Sequence, residues 1–228
     1  MPAEQISAEL ARADALFQQR EAVAKLREAR QIAAALRNAD HRSFEVEWKF
    51  AKYSWFLGQQ LSDEEERTKV FEQGRDAGLI ASAIAPDRPD GYFWYGANLG
   101  ELARMSPVTV GYGSVDKIEA AMDRVIELDP GYQGASAFDV LALIELNTRL
   151  FGGEASKAAS LLEKALEYEK NNSTLRLHLA QAYLDLNKLD AARAQLDYIV
   201  KMRPDPEYEI EHRAALEQAR RLLATRLR

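Results

Sequence analysis

The chain has 228 residues and no cysteine, with 30 basic and 36 acidic side chains and a net charge of −6. Disulfides, thiolate nucleophiles and cysteine-based metal sites are excluded, and no basic surface of the kind that grips nucleic acid is indicated. Hydrophobic residues make up 47% and charged residues 29%, the balance of a soluble folded protein; no apolar run of about 18 residues could span a membrane. The opening MPAEQISAEL lacks the basic and apolar regions of a signal peptide, and a mature domain would read the same way.

Good helix formers dominate, with only 7 Pro and 12 Gly, so helices are expected throughout. Residues 4–38 carry two apolar stripes, Leu10, Ala13, Leu16 and Phe17, then Ala22, Leu26, Ala29, Ile32 and Leu36. They read as two helices broken near Gln19-Arg20, or as one long helix. An aromatic-rich helix follows over 44–58, with Gly58 expected as its C′ residue. Ser62-Asp63-Glu64-Glu65 reads as a capping box with Ser62 as N-cap and Glu65 at N3. The helix it opens is expected to reach about Ala85 and stop at Pro86. Gly74 and Gly78 inside it each cost up to about 1 kcal/mol against Ala, which suits close helix contact. A helix over 89–104, a loop over 106–113 and a helix over 116–128 come next. Residues 135–150 form another helix, then a turn at Phe151-Gly152-Gly153 whose glycines suit the left-handed region, then a helix over 154–170. Two helical segments flank Asn187-Lys188 within 173–204. Residues 207–226 form an amphipathic helix with Ile210, Ala214, Ala219, Leu222 and Leu223 expected inward, as in a terminal cap.

These helices repeat in pairs. With Ser173 as position 1, Leu179, Ala180 and Tyr183 fall at 7, 8 and 11, Ala192 at 20, Leu196 at 24, Ile199 at 27 and Pro204 at 32. The pair at 135–172 places Ala142, Ala158, Leu162 and Ala165 at 8, 20, 24 and 27. The pair at 89–130 places Tyr95-Gly96 at 7 and 8, Met122 at 24 and Pro130 at 32. The pair at 44–86 places Phe50-Ala51 at 7 and 8, Gly74 at 20, Ala81 at 27 and Pro86 at 32. This register resembles the tetratricopeptide repeat (TPR). It implies an all-α, right-handed superhelical α-solenoid of about five helix pairs, the pair at 4–38 being degenerate, closed by the cap at 207–226 and forming one repeat domain over 1–228.

Two narrower resemblances exist. Tyr92-Phe93-Trp94-Tyr95-Gly96 with Gly100, Leu128-Asp129-Pro130-Gly131-Tyr132-Gln133-Gly134-Ala135, and Leu150-Phe151-Gly152-Gly153-Glu154 leading to Leu162-Glu163-Lys164-Ala165-Leu166 resemble the T component associated with tripartite ATP-independent periplasmic (TRAP) transporters. That resemblance implies a non-enzymatic, oligomeric periplasmic helper that pairs with a solute-binding protein and accepts a hydrophobic ligand. The final pair departs from it, being closer to an ordinary TPR. The stretch FEQGRDAGLIASAIAPD, 71–87, resembles the regulator-of-microtubule-dynamics group of repeat proteins. A generic TPR scaffold holding peptides, in cytoplasm or cell envelope, is the alternative.

The inner face of such an array is lined by the first helix of each pair. The register puts Trp48, Lys49, Lys52, Trp55 and Phe56 there, then Phe93, Trp94, Ala97, Gly100 and Glu101. Asp139, Val140, Leu143, Leu146 and Asn147 follow, then Leu177, His178, Gln181, Leu184 and Asp185. Trp48, Lys52 and Trp55 share one face at i, i+4 and i+7. The expected binding residues for a protein, peptide or hydrophobic ligand are Trp48, Lys52, Trp55, Phe93, Trp94, Leu143, His178 and Gln181, with Tyr112 as a lid. The competing account makes the same rings inter-repeat core. No catalytic residue, metal or cofactor is expected: His41, His178 and His212 lack metal-ligand spacing and are expected at surface or groove positions. Gly111-Tyr112-Gly113 has no Gly-Lys-Ser/Thr after it.

Overall fold

Alanine, leucine and the long charged side chains lose little entropy in a helix. The computed structural model describes residues 3–106, 113–148 and 152–227, and these form eleven α-helices and no strand. The helices are α1 (Ala3–Phe17), α2 (Val23–Leu36), α3 (Phe44–Gln60), α4 (Glu64–Ile84), α5 (Pro89–Met105), α6 (Val115–Leu128), α7 (Tyr132–Asn147), α8 (Ala155–Tyr168), α9 (Ser173–Asp185), α10 (Leu189–Lys201) and α11 (Glu209–Arg226). They fall into two compact units, Met1–Leu128 and Asp129–Arg228, each a run of helical hairpins of the α-solenoid kind.

In the first unit each helix packs on the next, and α3 also touches α5. Residues 18–22 separate α1 from α2, so the pair is two helices and not one. The TPR small positions are where the register put them, with Ala51 and Ala81 fully buried. The closest approach is between α4 and α5. A Cβ on Gly78 would lie 2.5 Å from the Tyr95 backbone N, and one on Gly91 would lie 2.7 Å from Ser82 Cα. The two helices therefore touch backbone to backbone at two places, each through a glycine of one partner. Asn98 of α5 is fully buried, and its Nδ2 donates to the carbonyl oxygens of Ala51 (3.1 Å) and Trp94 (2.7 Å). A Cβ on Gly74 would come within 2.8 Å of Ser54 Cβ and 2.7 Å of Asn98 Cγ. Gly74 is thus what admits Asn98 to the junction of α3, α4 and α5.

Two local features differ from expectation. Gly58 does not end α3, which continues to Gln60; a Cβ on it would lie 2.5 Å from Phe71 Cζ, so its role is contact with α4. Asp63, not Ser62, caps α4, its carboxylate accepting from Glu66 N at 2.7 Å. Glu66 turns outward to a forked ion pair with Arg27 of α2, a long-range partner invisible to a local motif. Between α2 and α3, the fully buried Glu47 accepts from Arg37 Nε (2.9 Å) and Arg42 Nη1 (2.7 Å). Both carboxylate oxygens are satisfied, as a buried charge requires.

The second unit runs from α7 to α11. Gln133, Gly134 and Ala135 have φ of 49°, 64° and 61°, a left-handed turn that the two non-glycine residues adopt only under strain. The regular part of α7 follows it. Gly152 adopts φ 108°, as the turn requires. Gly153 serves differently: a Cβ there would lie 3.0 Å from the Glu145 carbonyl carbon. Ala142, Ala158, Leu162, Ala165, Ala180, Ala192, Leu196 and Ile199 are fully buried, all at repeat positions. In α11 the inward set is His212, Ala215 and Ala219, whereas Ala214 is exposed. The buried face admits a histidine, which an apolar stripe passes over.

Replacing Gly78 or Gly91 by Ala is expected to lower the unfolding free energy by about 1–3 kcal/mol, the usual cost of overpacking. Gly100→Ala, also helical but with open space around its Cβ, is expected to raise it by about 0.5–1 kcal/mol. Urea unfolding followed by circular dichroism measures all three; equal effects would show that backbone approach is not the constraint.

Candidate functional site

In the first unit the inner-face residues assemble around aromatic contacts among α1, α3 and α5. Phe56 meets Phe17 edge-on at 4.8 Å, Trp55 meets Phe56 at 4.9 Å, and both Trp55 and Phe56 lie 6.0 Å from Trp94. Phe93 meets Trp94 at 4.9 Å. Trp94 and Phe93 are only 2% and 5% exposed, so these two belong to the packing of the unit. Trp55, Phe56, Trp48 and Lys52 are half-buried. Trp48 Nε1 donates to Glu45 Oε2 at 2.9 Å, and Lys52 Nζ stands 4.4 Å from the Phe17 ring centroid. Trp94 Nε1 is buried without a partner.

The contribution of α1 was not legible from the register, because its pair is degenerate. Asp14 accepts from Tyr53 Oη at 2.6 Å and pairs with Lys49. Burial pushes the Tyr53 phenol well above its ordinary pKa, and the Asp14 carboxylate adds to the rise. Asp14 and Phe17 lie three apart on one helical face, the one local signal that could have placed both beside α3.

In the second unit Leu143 and Gln181 are half-buried, but Leu177 is 4% exposed and belongs to a core with Ala192, Leu196, Ala215 and Ala219. The reason is α11, which packs on both α9 and α10 and covers that side of α9. His178 Nδ1 and Asp139 Oδ1 lie 2.6 Å apart, linking α9 to α7, with the two side chains 19% and 12% exposed. Burial works against the His178 proton, but the charge and hydrogen bond of Asp139 outweigh it and hold the pKa above 6.5. His212 is a core residue and not a surface one; burial lowers its pKa. Among the described residues no group of three or more acidic or histidine side chains could hold a metal ion. Tyr112, the expected lid, lies outside the described residues.

A histidine whose folded pKa is raised contributes stability in full below the unfolded value and loses it as the pH climbs through the folded one. Asp139→Asn is therefore expected to lower the His178 titration midpoint and to cost most stability below about pH 6.5, the ordinary value. Imidazole NMR titration of both proteins measures this, and an unmoved midpoint would rule out the pairing.

The hairpins and their buried small residues have counterparts in known proteins. The family model described as regulator of microtubule dynamics protein 1-3 matches residues 9–136, and a tetratricopeptide repeat model matches residues 152–210. No curated protein matches the chain significantly. Among solved structures, a thermophilic TPR protein of Thermus thermophilus superposes with a TM-score of 0.68 at 19% identity, covering 95% of this chain and 100% of that one. PilF of Pseudomonas aeruginosa superposes with a TM-score of 0.57 at 16% identity, covering 98% of this chain and 92% of its own. These likenesses establish a TPR fold. The stretch at 71–87 lies inside the regulator match, as do the stretches at 92–100 and 128–135 that resemble the T component. Matched over more than half its length, the chain belongs to the regulator of microtubule dynamics protein 1-3 family, with tetratricopeptide repeats in its C-terminal part.

Proposed function

We propose that the protein is a non-enzymatic interaction scaffold that holds a segment of a partner protein against the first helices of its hairpins. The observation that carries this reading is what packing leaves over. The small residues at the repeat positions are consumed in helix contact, while Trp48, Lys52, Trp55 and Phe56 of α3 remain half-exposed on one side. Large rigid rings with a few polar neighbours are the surfaces that dominate binding energy in such interfaces. In the second unit Leu143 and Gln181 also remain half-exposed. The family is named for the regulation of microtubule dynamics, so a cytoskeletal protein is the first partner to test.

The periplasmic form of this scaffold, serving a solute-binding protein, is supported by the residue stretches that resemble the T component. An apolar ligand on the aromatic face is supported by the half-exposed rings of Trp48, Trp55 and Phe56, the kind of surface that lines apolar ligand sites.

Trp55→Ala is expected to leave the fold intact, because the side chain is half-exposed, and to weaken capture of a defined partner by about tenfold or more, the loss typical of an aromatic anchor. Co-sedimentation with microtubules and surface plasmon resonance with candidate proteins measure this against the parent. A folded Trp55→Ala protein that binds every partner as well as the parent does would sink the proposal.

A further inference from the structure

The first unit also carries a concave feature lined by none of the half-exposed aromatic residues. An open cleft of about 470 Å³ is lined by Arg30, Ala34, Arg37, Arg42, Phe50 and Gln73. Its size falls among the roughly 300–1,000 Å³ typical of ligand-holding sites. The guanidinium carbons of Arg30 and Arg37 stand 4.5 and 4.4 Å from the Phe50 ring centroid. Arg37 and Arg42 share one carboxylate, that of the buried Glu47. Arg30 is different. Its Nε donates to Ser54 Oγ at 2.8 Å and its Nη2 to Gln73 Oε1, both neutral groups. Among the described residues no carboxylate forms an ion pair with it.

Three guanidiniums thus face one carboxylate. Burial lowers the Arg30 pKa to about 10, and the charges of Arg37 and Arg27 press in the same direction, while Glu66, already held by Arg27, offsets part of this. Arg30 is still a cation at neutral pH, held beside like charges with no ion-paired carboxylate of its own among the described residues. An anion entering the cleft would relieve that repulsion, and arginine forks match the planar geometry of carboxylate and phosphoryl oxygens.

We propose that this cleft receives an acidic linear segment of a partner protein, its carboxylate or phosphoryl groups forked by Arg30, Arg37 and Arg42. This rests on the scaffold reading for its partner, but uses a different surface. A peptide fits better than a membrane. None of the exposed large hydrophobic residues lines the cleft, so it offers no apolar side chain to insert into a bilayer.

The test is fluorescence anisotropy at low salt with labelled hexaglutamate, hexaglutamine and a phosphoserine hexapeptide. Hexaglutamate or the phosphopeptide is expected to bind and hexaglutamine not, the stronger of the two acidic probes identifying carboxylate or phosphoryl as the preferred group. Arg30→Gln is expected to weaken binding about tenfold or more through loss of a charge-assisted contact. Gln73→Glu, which places a carboxylate beside Arg30, is expected to abolish binding while raising the melting temperature, so the outcome does not hang on one variant's folding. Equal binding of hexaglutamate and hexaglutamine, or acidic-peptide affinity unchanged by both substitutions, would overturn the proposal. So would binding only to inorganic phosphate or to phosphatidylserine vesicles. The probes are synthetic, so a negative result here leaves Trp55-dependent capture untouched, and a failure of that capture leaves the peptide result readable.

Discussion

The contact between α4 and α5 sets the spacing of the first unit. Two glycines, one on each helix, let backbone meet backbone, a separation that no residue with a Cβ permits without a shift. That closeness brings Asn98 into the junction of α3, α4 and α5, where its amide reaches the carbonyls of Ala51 and Trp94. The rings of Trp94 and Phe93 are then carried inward, and the rings of Trp55 and Phe56 lean on Trp94 from α3. The position of the half-exposed aromatic face therefore depends on how closely the successive pairs 44–86 and 89–130 stack through α4 and α5.

Polar side chains do the finer positioning. Glu47 is withdrawn completely from solvent yet has both oxygens satisfied by arginines that follow α2, so the connection between α2 and α3 is held from inside. Asp14 does the same between α1 and α3 through Tyr53 and Lys49. In the second unit Asp139 and His178 join α7 to α9. Each is a polar tie between elements whose apolar contacts alone would permit some sliding.

The repeat register was legible because its small residues occupy fixed positions: Ala51, Ala142, Ala180 and Ala192 were placed by counting alone, and all are buried. The same counting could not tell a cap from a contact at Gly58, since glycine serves both and the deciding neighbour, Phe71, is in another helix. It placed Leu177 on the inner face, but α11 covers that side of α9, and nothing in the repeat states which side a terminal helix will take. It read three tryptophans as one group, whereas packing divides them into a buried Trp94 and the half-exposed Trp48 and Trp55. The repeat register says nothing of the arginines of the α2 region. Only the fold brings Arg30, Arg37 and Arg42 around Phe50.

The left-handed turn at Gln133, Gly134 and Ala135 has a consequence for cooperativity. Asn172 donates through Nδ2 to the Gly134 carbonyl at 2.8 Å, while its Oδ1 accepts from Thr174 N and Leu175 N at the start of α9. One amide therefore closes the entry to α7 and the N-terminus of α9, two ends that belong to successive repeats. If α9 frays at its first turn, the donor that anchors the strained entry of α7 is lost with it. The interface between these repeats is polar and directional at this end as well as apolar along its length. That raises the nearest-neighbour coupling on which the stability of a repeat array depends, and favours opening of the two hairpins as one unit in hydrogen exchange.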